Sequence, residues 1–149
     1  MTTAINLAGP ADDERLLSLM GRFHDECGMD YTDDHRAAVA APLLEGSPLG
    51  AAWLIGPARA PLGYVLVSFG WSVPLAGMTG WVEEIFIRPS VRNRGIGTEV
   101  LHTVAVSLGQ AGLRALQVRV DDNARLASFC TRVGFGAAQD ARIMTDQLA

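Results

Sequence analysis

One stretch constrains this 149-residue chain more than any other: Trp81–Leu108, WVEEIFIRPSVRNRGIGTEVLHTVAVSL. Its first part, Trp81–Arg88, is rich in aromatic and β-branched residues and predicts a strand. Pro89 ends it, because proline has no N–H to give a ladder. Arg92-Asn93-Arg94-Gly95-Ile96-Gly97 follows as a basic, glycine-bearing turn. From Thr98 onward, Val100, Leu101, Val104, Ala105 and Leu108 recur at helical spacing. The order is strand, glycine turn, helix. It aims the unpaired first N–H groups of a helix, and the positive end of its dipole, past the end of a strand. An anion suits that place, phosphate above all. The glycines allow close backbone approach. The forked guanidiniums of Arg92 and Arg94 suit phosphate oxygens.

Two common phosphate motifs do not fit. A dinucleotide fingerprint needs a third glycine where Val100 stands, and a P-loop needs Lys after Gly97, where Thr98 stands. The pattern R-x-x-G-x-G after a strand resembles instead the acyl-CoA pyrophosphate loop of the GCN5-related N-acetyltransferases. A second block agrees with it: Asn123-Ala124, then Phe129-Cys130-Thr131-Arg132-Val133-Gly134-Phe135. That block is similar to the family's N-x-x-A-x-x-F-Y-x-x-x-G-F helix.

Composition sets the outer limits. A chain of this length predicts one domain over residues 1–149. With 49% hydrophobic and 19% charged residues it suits a compact core. No apolar run reaches bilayer length, which argues against a membrane partner. MTTAINLAGPADDE lacks the pattern of a secretory signal, so a cytoplasmic location is expected. Cys27 and Cys130 are then expected as free thiols. A net charge of −4 argues against nucleic acid as partner. His24, His35 and His102 show no metal-ligand spacing and read as surface or polar-contact residues, so no metal is expected.

Taken in order, Ala4–Leu7 predicts a first strand. Pro10 opens a helix whose stripe is Leu16, Leu17, Met20, Phe23 and Cys27, stopped by Gly28. Thr32 caps a second helix that Pro42 kinks or ends. Ala51–Ile55, Leu62–Phe69 and Leu113–Val120 predict strands, and Val73–Gly80 a loop. Asn123 caps a helix over Ala124–Val133 with Gly134 as its left-handed stop. Ala141–Leu148 predicts a last strand. Strands and helices are mixed. The fold class is α/β in the α+β sense: a mostly antiparallel sheet of about six to seven strands with helices on both faces, as in the resembled family.

The resemblance implies a chemistry, acetyl transfer from acetyl-CoA to a primary amine of a small molecule or peptide by direct attack. An alkyl ammonium has a pKa of about 10.4, so freeing the amine at pH 7 costs about 4–5 kcal/mol. Protonating a leaving thiolate of pKa about 8.5 is worth only about 2 kcal/mol. A base therefore matters more than an acid. Glu83 and Glu84 are the base candidates. In a regular strand they point to opposite faces, so only one is expected to face the acceptor, with Glu83 favoured. The family's usual tyrosine acid aligns with Cys130, a weak donor and more often a small packed residue. Tyr31, Tyr64 or solvent could serve instead.

On the cofactor side the resemblance implies main-chain pairing of Ile85, Phe86 and Ile87 with the pantetheine arm. It gives the pyrophosphate to Arg92, Asn93, Arg94, Gly95, Ile96, Gly97 and Thr98, with Asn123 and Arg132 as further contacts. The loop His24–His35 would form one wall of the acceptor pocket, and its acidic residues favour a cationic acceptor. Asp30, Tyr31, Tyr64 and Trp71 are the acceptor-side candidates. Family members often pair as homodimers. Two readings compete with catalysis: an acyl-CoA sensor that keeps the cofactor site without efficient chemistry, and simple nucleotide or phosphate binding by the glycine turn.

Overall fold

A computed structural model of the chain describes residues 2–121, 123–137 and 143–149. Five strands form one sheet in sequential order: β1 (Ile5–Leu7), β2 (Gly50–Ile55), β3 (Gly63–Ser72), β4 (Gly77–Ile87) and β5 (Ala115–Val118). The first four pair antiparallel, and β5 joins β4 in parallel. Four α-helices accompany them: α1 (Asp13–Glu26), α2 (Asp33–Leu44), α3 (Ile96–Gln110) and α4 (Ala124–Val133). A parallel neighbour needs a crossover, and α3 supplies it between β4 and β5. No helix of the described residues is long and apolar enough to cross a membrane.

The sheet alternates, and each face has its own core. Ala52, Leu54, Tyr64, Leu66 and Phe86 meet Leu16, Leu19 and Met20 of α1 and Ala40 and Leu44 of α2 on one side. Trp53, Ile55, Val65, Val67 and Val82 meet Val100, Leu101, Val104 and Leu108 of α3 on the other. Burying a residue of this kind stabilises by about 1.5–3 kcal/mol, so α3 is anchored by its own repeat.

Several expectations are corrected by packing. The α1 stripe is wider than expected and stops short of Cys27: Leu16 and Met20 are buried together with Leu19 and His24, Leu17 and Phe23 pack partly buried against the same core, and Cys27 is exposed just beyond the helix. Helix α2 runs through Pro42 to Leu44. Proline there forfeits one hydrogen bond near the end of the helix, and the buried Leu44 holds the last turn in place. Gly77–Gly80, read as loop, belongs to β4. Its glycines mark close approach rather than a turn. A Cβ on Gly77 would stand 2.5 Å from the Arg114 side chain, and one on Gly80 2.9 Å from Val67. The hairpin turns instead at residues 73–76, with Ala76 at φ 49°. The described residues hold five strands rather than six or seven. The expected last strand starts on residues 141–142, which lie outside the described residues, and residues 143–149 form no strand.

Other local readings hold. The Thr32 hydroxyl accepts from the His35 amide at 3.0 Å. Asn123 Oδ1 accepts from the Leu126 amide at 2.9 Å, and Gly134 takes φ 116° at the other end of α4.

Candidate active site

Strand β4 organises the site because its two ends are paired differently. Residues Thr79–Val82 are held on both edges, by β3 and by Ala115–Val118 of β5. Beyond Val82 the pairing with β5 stops, while pairing with β3 continues to Ile87. One edge of Ile85, Phe86 and Ile87 is therefore open. It borders a cavity of about 760 Å³. The rest of its lining is the turn before α3, one side of α4 and the end of α1.

That turn is built by conformation. Asn93 and Gly95 take left-handed φ values of 63° and 80°. Gly95 is the N-cap of α3, and a Cβ there would meet nothing within 4 Å, so the backbone is bare to the cavity. The Glu99 amide bonds the Gly95 carbonyl at 3.1 Å, which leaves the amides of Ile96, Gly97 and Thr98 ahead of the helical ladder. Gly97 serves a different purpose. A Cβ there would press on the Phe129 ring at 3.2 and 3.3 Å, so its absence lets α4 seat against the start of α3.

Of the cofactor-side residues, Ile85, Phe86, Ile87, Arg92, Asn93, Gly95, Ile96, Gly97, Thr98, Asn123 and Arg132 line this cavity; Arg94 is exposed and does not. Arg92 is heavily committed. Its Nε donates to the Ile87 carbonyl at 2.7 Å, and Nη1 and Nη2 donate to the two Glu26 oxygens at 2.5 and 2.6 Å. The Glu26 carboxyl is held below its usual range by that hydrogen bond, and the Arg92 guanidinium is raised in turn. Arg92 thus ties the turn to α1 and β4. Arg125, which sequence reasoning passed over, brings another cation to the lining. A signal was present: a cation in the first turn of α4 opposes that helix's dipole and calls for a reason to be there.

The second cavity, about 480 Å³, lies against the other end of the open segment and is lined by residues of α1, α2, the loop between them, the turn before β2, β3 and β4. Glu83 and Glu84 both line it. The expectation of opposite faces is corrected by a β-bulge. Leu66 stands opposite Glu84 while Val67 stands opposite Val82, so Glu83 is the extra residue. A bulge resets the alternation, and two successive side chains then share a face.

The two carboxylates are held differently. Glu84 Oε1 accepts from the Tyr64 hydroxyl and Oε2 pairs with His24 Nε2, both at 2.8 Å. A carboxylate only accepts, so Nε2 carries the proton. His24 is 2% exposed, and its Nδ1 has no partner among the described residues. Burial and the adjacent Glu84 push the Tyr64 phenol far above its ordinary pKa. Glu83, exposed and lining the cavity, has among the described residues only the Ser68 hydroxyl at 3.3 Å and Arg119 at 3.7 Å.

The remaining candidates scatter. Tyr31 lines the smaller cavity and stacks on His35 with ring centroids 4.4 Å apart. Tyr64 lies fully buried behind Glu84 and lines neither cavity. Asp30 and Trp71 are exposed and line neither. Cys130 is buried and lines neither, and burial raises its thiol pKa. Among the described residues no group of three His, Cys, Asp or Glu side chains could hold a metal ion.

The sheet thus opens beside a helix N-terminus, with two carboxylates at the seam. The sequence model of the acetyltransferase (GNAT) family matches residues 15–135, and the chain belongs to that family. No curated protein matches it. Among solved structures, an integron cassette protein, HFX_CASS3, from the mobile metagenome of Cole Harbour Salt Marsh is 29% identical over 97% of this chain and 90% of that one, with a TM-score of 0.85. A possible acetyltransferase from Clostridium difficile 630 covers 100% of both chains at 12% identity and a TM-score of 0.87. The aminoglycoside N-acetyltransferase AAC(6')-Iy, solved in complex with CoA, covers 98% of this chain and 95% of that one at 15% identity, with a TM-score of 0.81.

Proposed function

We propose that this chain transfers the acetyl group of acetyl-CoA to a primary amine by direct attack within a ternary complex. The observation that carries the reading is the open edge of Ile85–Ile87. It runs from a helix N-terminus at one end to two carboxylates at the other, with a separate cavity on each side. The larger cavity fits the cofactor. Bare backbone at Gly95, unladdered amides at Ile96–Thr98 and the Arg125 guanidinium suit a diphosphate, and the unpaired strand edge suits an amide-bearing arm. The CoA complex of AAC(6')-Iy, a structure of the same fold, supports the assignment by analogy.

Acetyl-CoA supplies the activated acyl group. Glu83 takes the proton from the incoming ammonium, directly or through one water. It is the better base of the pair because both oxygens of Glu84 are already engaged by the Tyr64 hydroxyl and His24, whereas Glu83 meets only more distant partners, Ser68 at 3.3 Å and Arg119 at 3.7 Å. Glu84 instead presents a fixed negative charge that orients the ammonium. A free N–H on the open edge of β4 polarises the thioester carbonyl. Solvent protonates the leaving thiolate, since Cys130 lies away from both cavities and the Tyr64 hydroxyl donates to Glu84.

Calorimetry with acetyl-CoA and a thiol-release assay over a panel of amines test the reading together. Micromolar binding with amine-dependent thiol release is the expected result. Binding without release for any amine would favour an acyl-CoA sensor, and absence of binding would overturn the proposal.

A further inference from the structure

The smaller cavity is not uniformly polar. Its carboxylates, Glu83 and Glu84, both come from the bulge on β4. Two of its other polar side chains are already engaged: His24 bonds Glu84, and the Ser68 hydroxyl bonds Glu83. Much of the remaining wall is aliphatic or thioether, from Met20, Met29, Val39, Leu43, Leu49 and Leu66. Three of these, Met29, Val39 and Leu49, are 38%, 37% and 62% exposed. Large apolar side chains left open around one concavity are unusual unless something apolar covers them. The neighbouring aspartates, Asp25 at the end of α1, Asp30 of the loop and Asp33 and Asp34 at the start of α2, are exposed, and none lines the cavity. The negative charge at the site is therefore carried by the bulge.

The geometry points to an acceptor that is a monoamine with an apolar body, an alkylamine or arylalkylamine whose ammonium meets Glu83 and Glu84 while its hydrocarbon lies along Leu66, Val39, Leu43 and Leu49. The inference rests on the acetyltransferase reading and narrows it. A polyhydroxylated or polycationic amine fits poorly. Its hydroxyls would lose water against an aliphatic wall, and its further ammonium groups would find no carboxylate beyond the pair. A hydrocarbon tail gains from the same wall.

A homologous series from ethylamine to hexylamine tests this on the whole chain. The expected result is a rise in kcat/KM of about fourfold per added methylene, the value for transferring one such group out of water, until the cavity is filled. Spermidine and kanamycin are expected below hexylamine. Val39→Asp and Leu49→Asp alter half-exposed side chains and leave the fold intact, as a melting curve checks. Each should lower kcat/KM for hexylamine about tenfold and change ethylamine much less, so that the ratio of the two falls. A flat series, or preference for spermidine or kanamycin, would overturn the inference while leaving acetyl transfer standing. Calorimetry of the amines with the CoA-saturated protein reads the cavity without chemistry. Chain-length-dependent binding with no acetyl transfer would uphold the apolar cavity and sink the enzymatic reading instead. Binding without that dependence would sink the inference, whatever the assay gives.

Discussion

The two cavities on either side of β4 are built from different materials. The larger presents bare backbone alongside its charged side chains: an unpaired strand edge, a left-handed N-cap at Gly95 and the first amides of α3. The smaller takes its polar surface from side chains delivered by α1, the loop after it, α2, β3 and β4. A backbone site is contiguous in the chain and depends on conformation. A side-chain site is assembled from afar and depends on packing. The lesson is that substitutions in the first should act through φ and close approach, and those in the second through lost partners.

The largest expected effect tests the division between the carboxylates. Glu83→Gln should lower kcat by about 10²–10⁴, the usual worth of a general base, with little change in acetyl-CoA affinity. Glu84→Gln should instead raise the acceptor KM and lower stability. If the two variants exchange behaviour, the assignment is reversed.

Gly97→Val comes next. The added side chain would drive into the Phe129 ring, and overpacking of this kind costs about 1–3 kcal/mol. Because the ring belongs to α4, which rims the larger cavity, acetyl-CoA affinity should fall by at least about tenfold together with the melting temperature. Normal affinity, measured by calorimetry, would show that this cavity tolerates side-chain insertion and would blunt the comparison.

Tyr64→Phe probes the side-chain site. Removing the hydroxyl leaves Glu84 Oε1 without its donor, at a cost of about 1–3 kcal/mol in denaturant unfolding. The phenol also predicts an alkaline effect. Its folded pKa is raised, so above the ordinary value near 10 the native state keeps a proton that the unfolded chain gives up. Stability from this group is complete below that pH and falls as the pH rises past it. The variant should lack that fall, and an unchanged alkaline slope would remove Tyr64 from the account.

The smallest effect belongs to Glu26. Arg92 depresses its carboxyl pKa, so its contribution is present above the ordinary carboxylate range and is lost as the pH drops through the folded value. The pair is partly exposed, so Glu26→Gln should change neutral-pH stability by only about 0–1 kcal/mol and flatten the acid limb of a melting-temperature profile. If acetyl-CoA affinity rises in this variant, Arg92 has been released to the diphosphate, and the backbone character of the larger cavity is less complete than described.

Legibility followed the same boundary. The glycine turn, α3 with its Val100–Leu101–Val104–Leu108 repeat, and α4 with both caps were readable because each depends on residues within one turn of one another. So was the family, whose two motifs lie in those segments. Arg92 was readable as a cation but not as one already paired, since Glu26 is 66 positions away. The Tyr64–Glu84–His24 set spans three elements and left no local trace.

By itself the sequence determined the order of strand, turn and helix around Gly95 and the presence of two adjacent carboxylates, while the mostly antiparallel sheet was implied by the family resemblance. Propensity, periodicity and glycine's access to positive φ act over a few residues and need no tertiary partner. Only the tertiary structure decided that both carboxylates face one cavity. The bulge at Glu83 exists because β3 and β4 pair out of step between Leu66 and Val67, and strand register is a property of two segments that neither states alone.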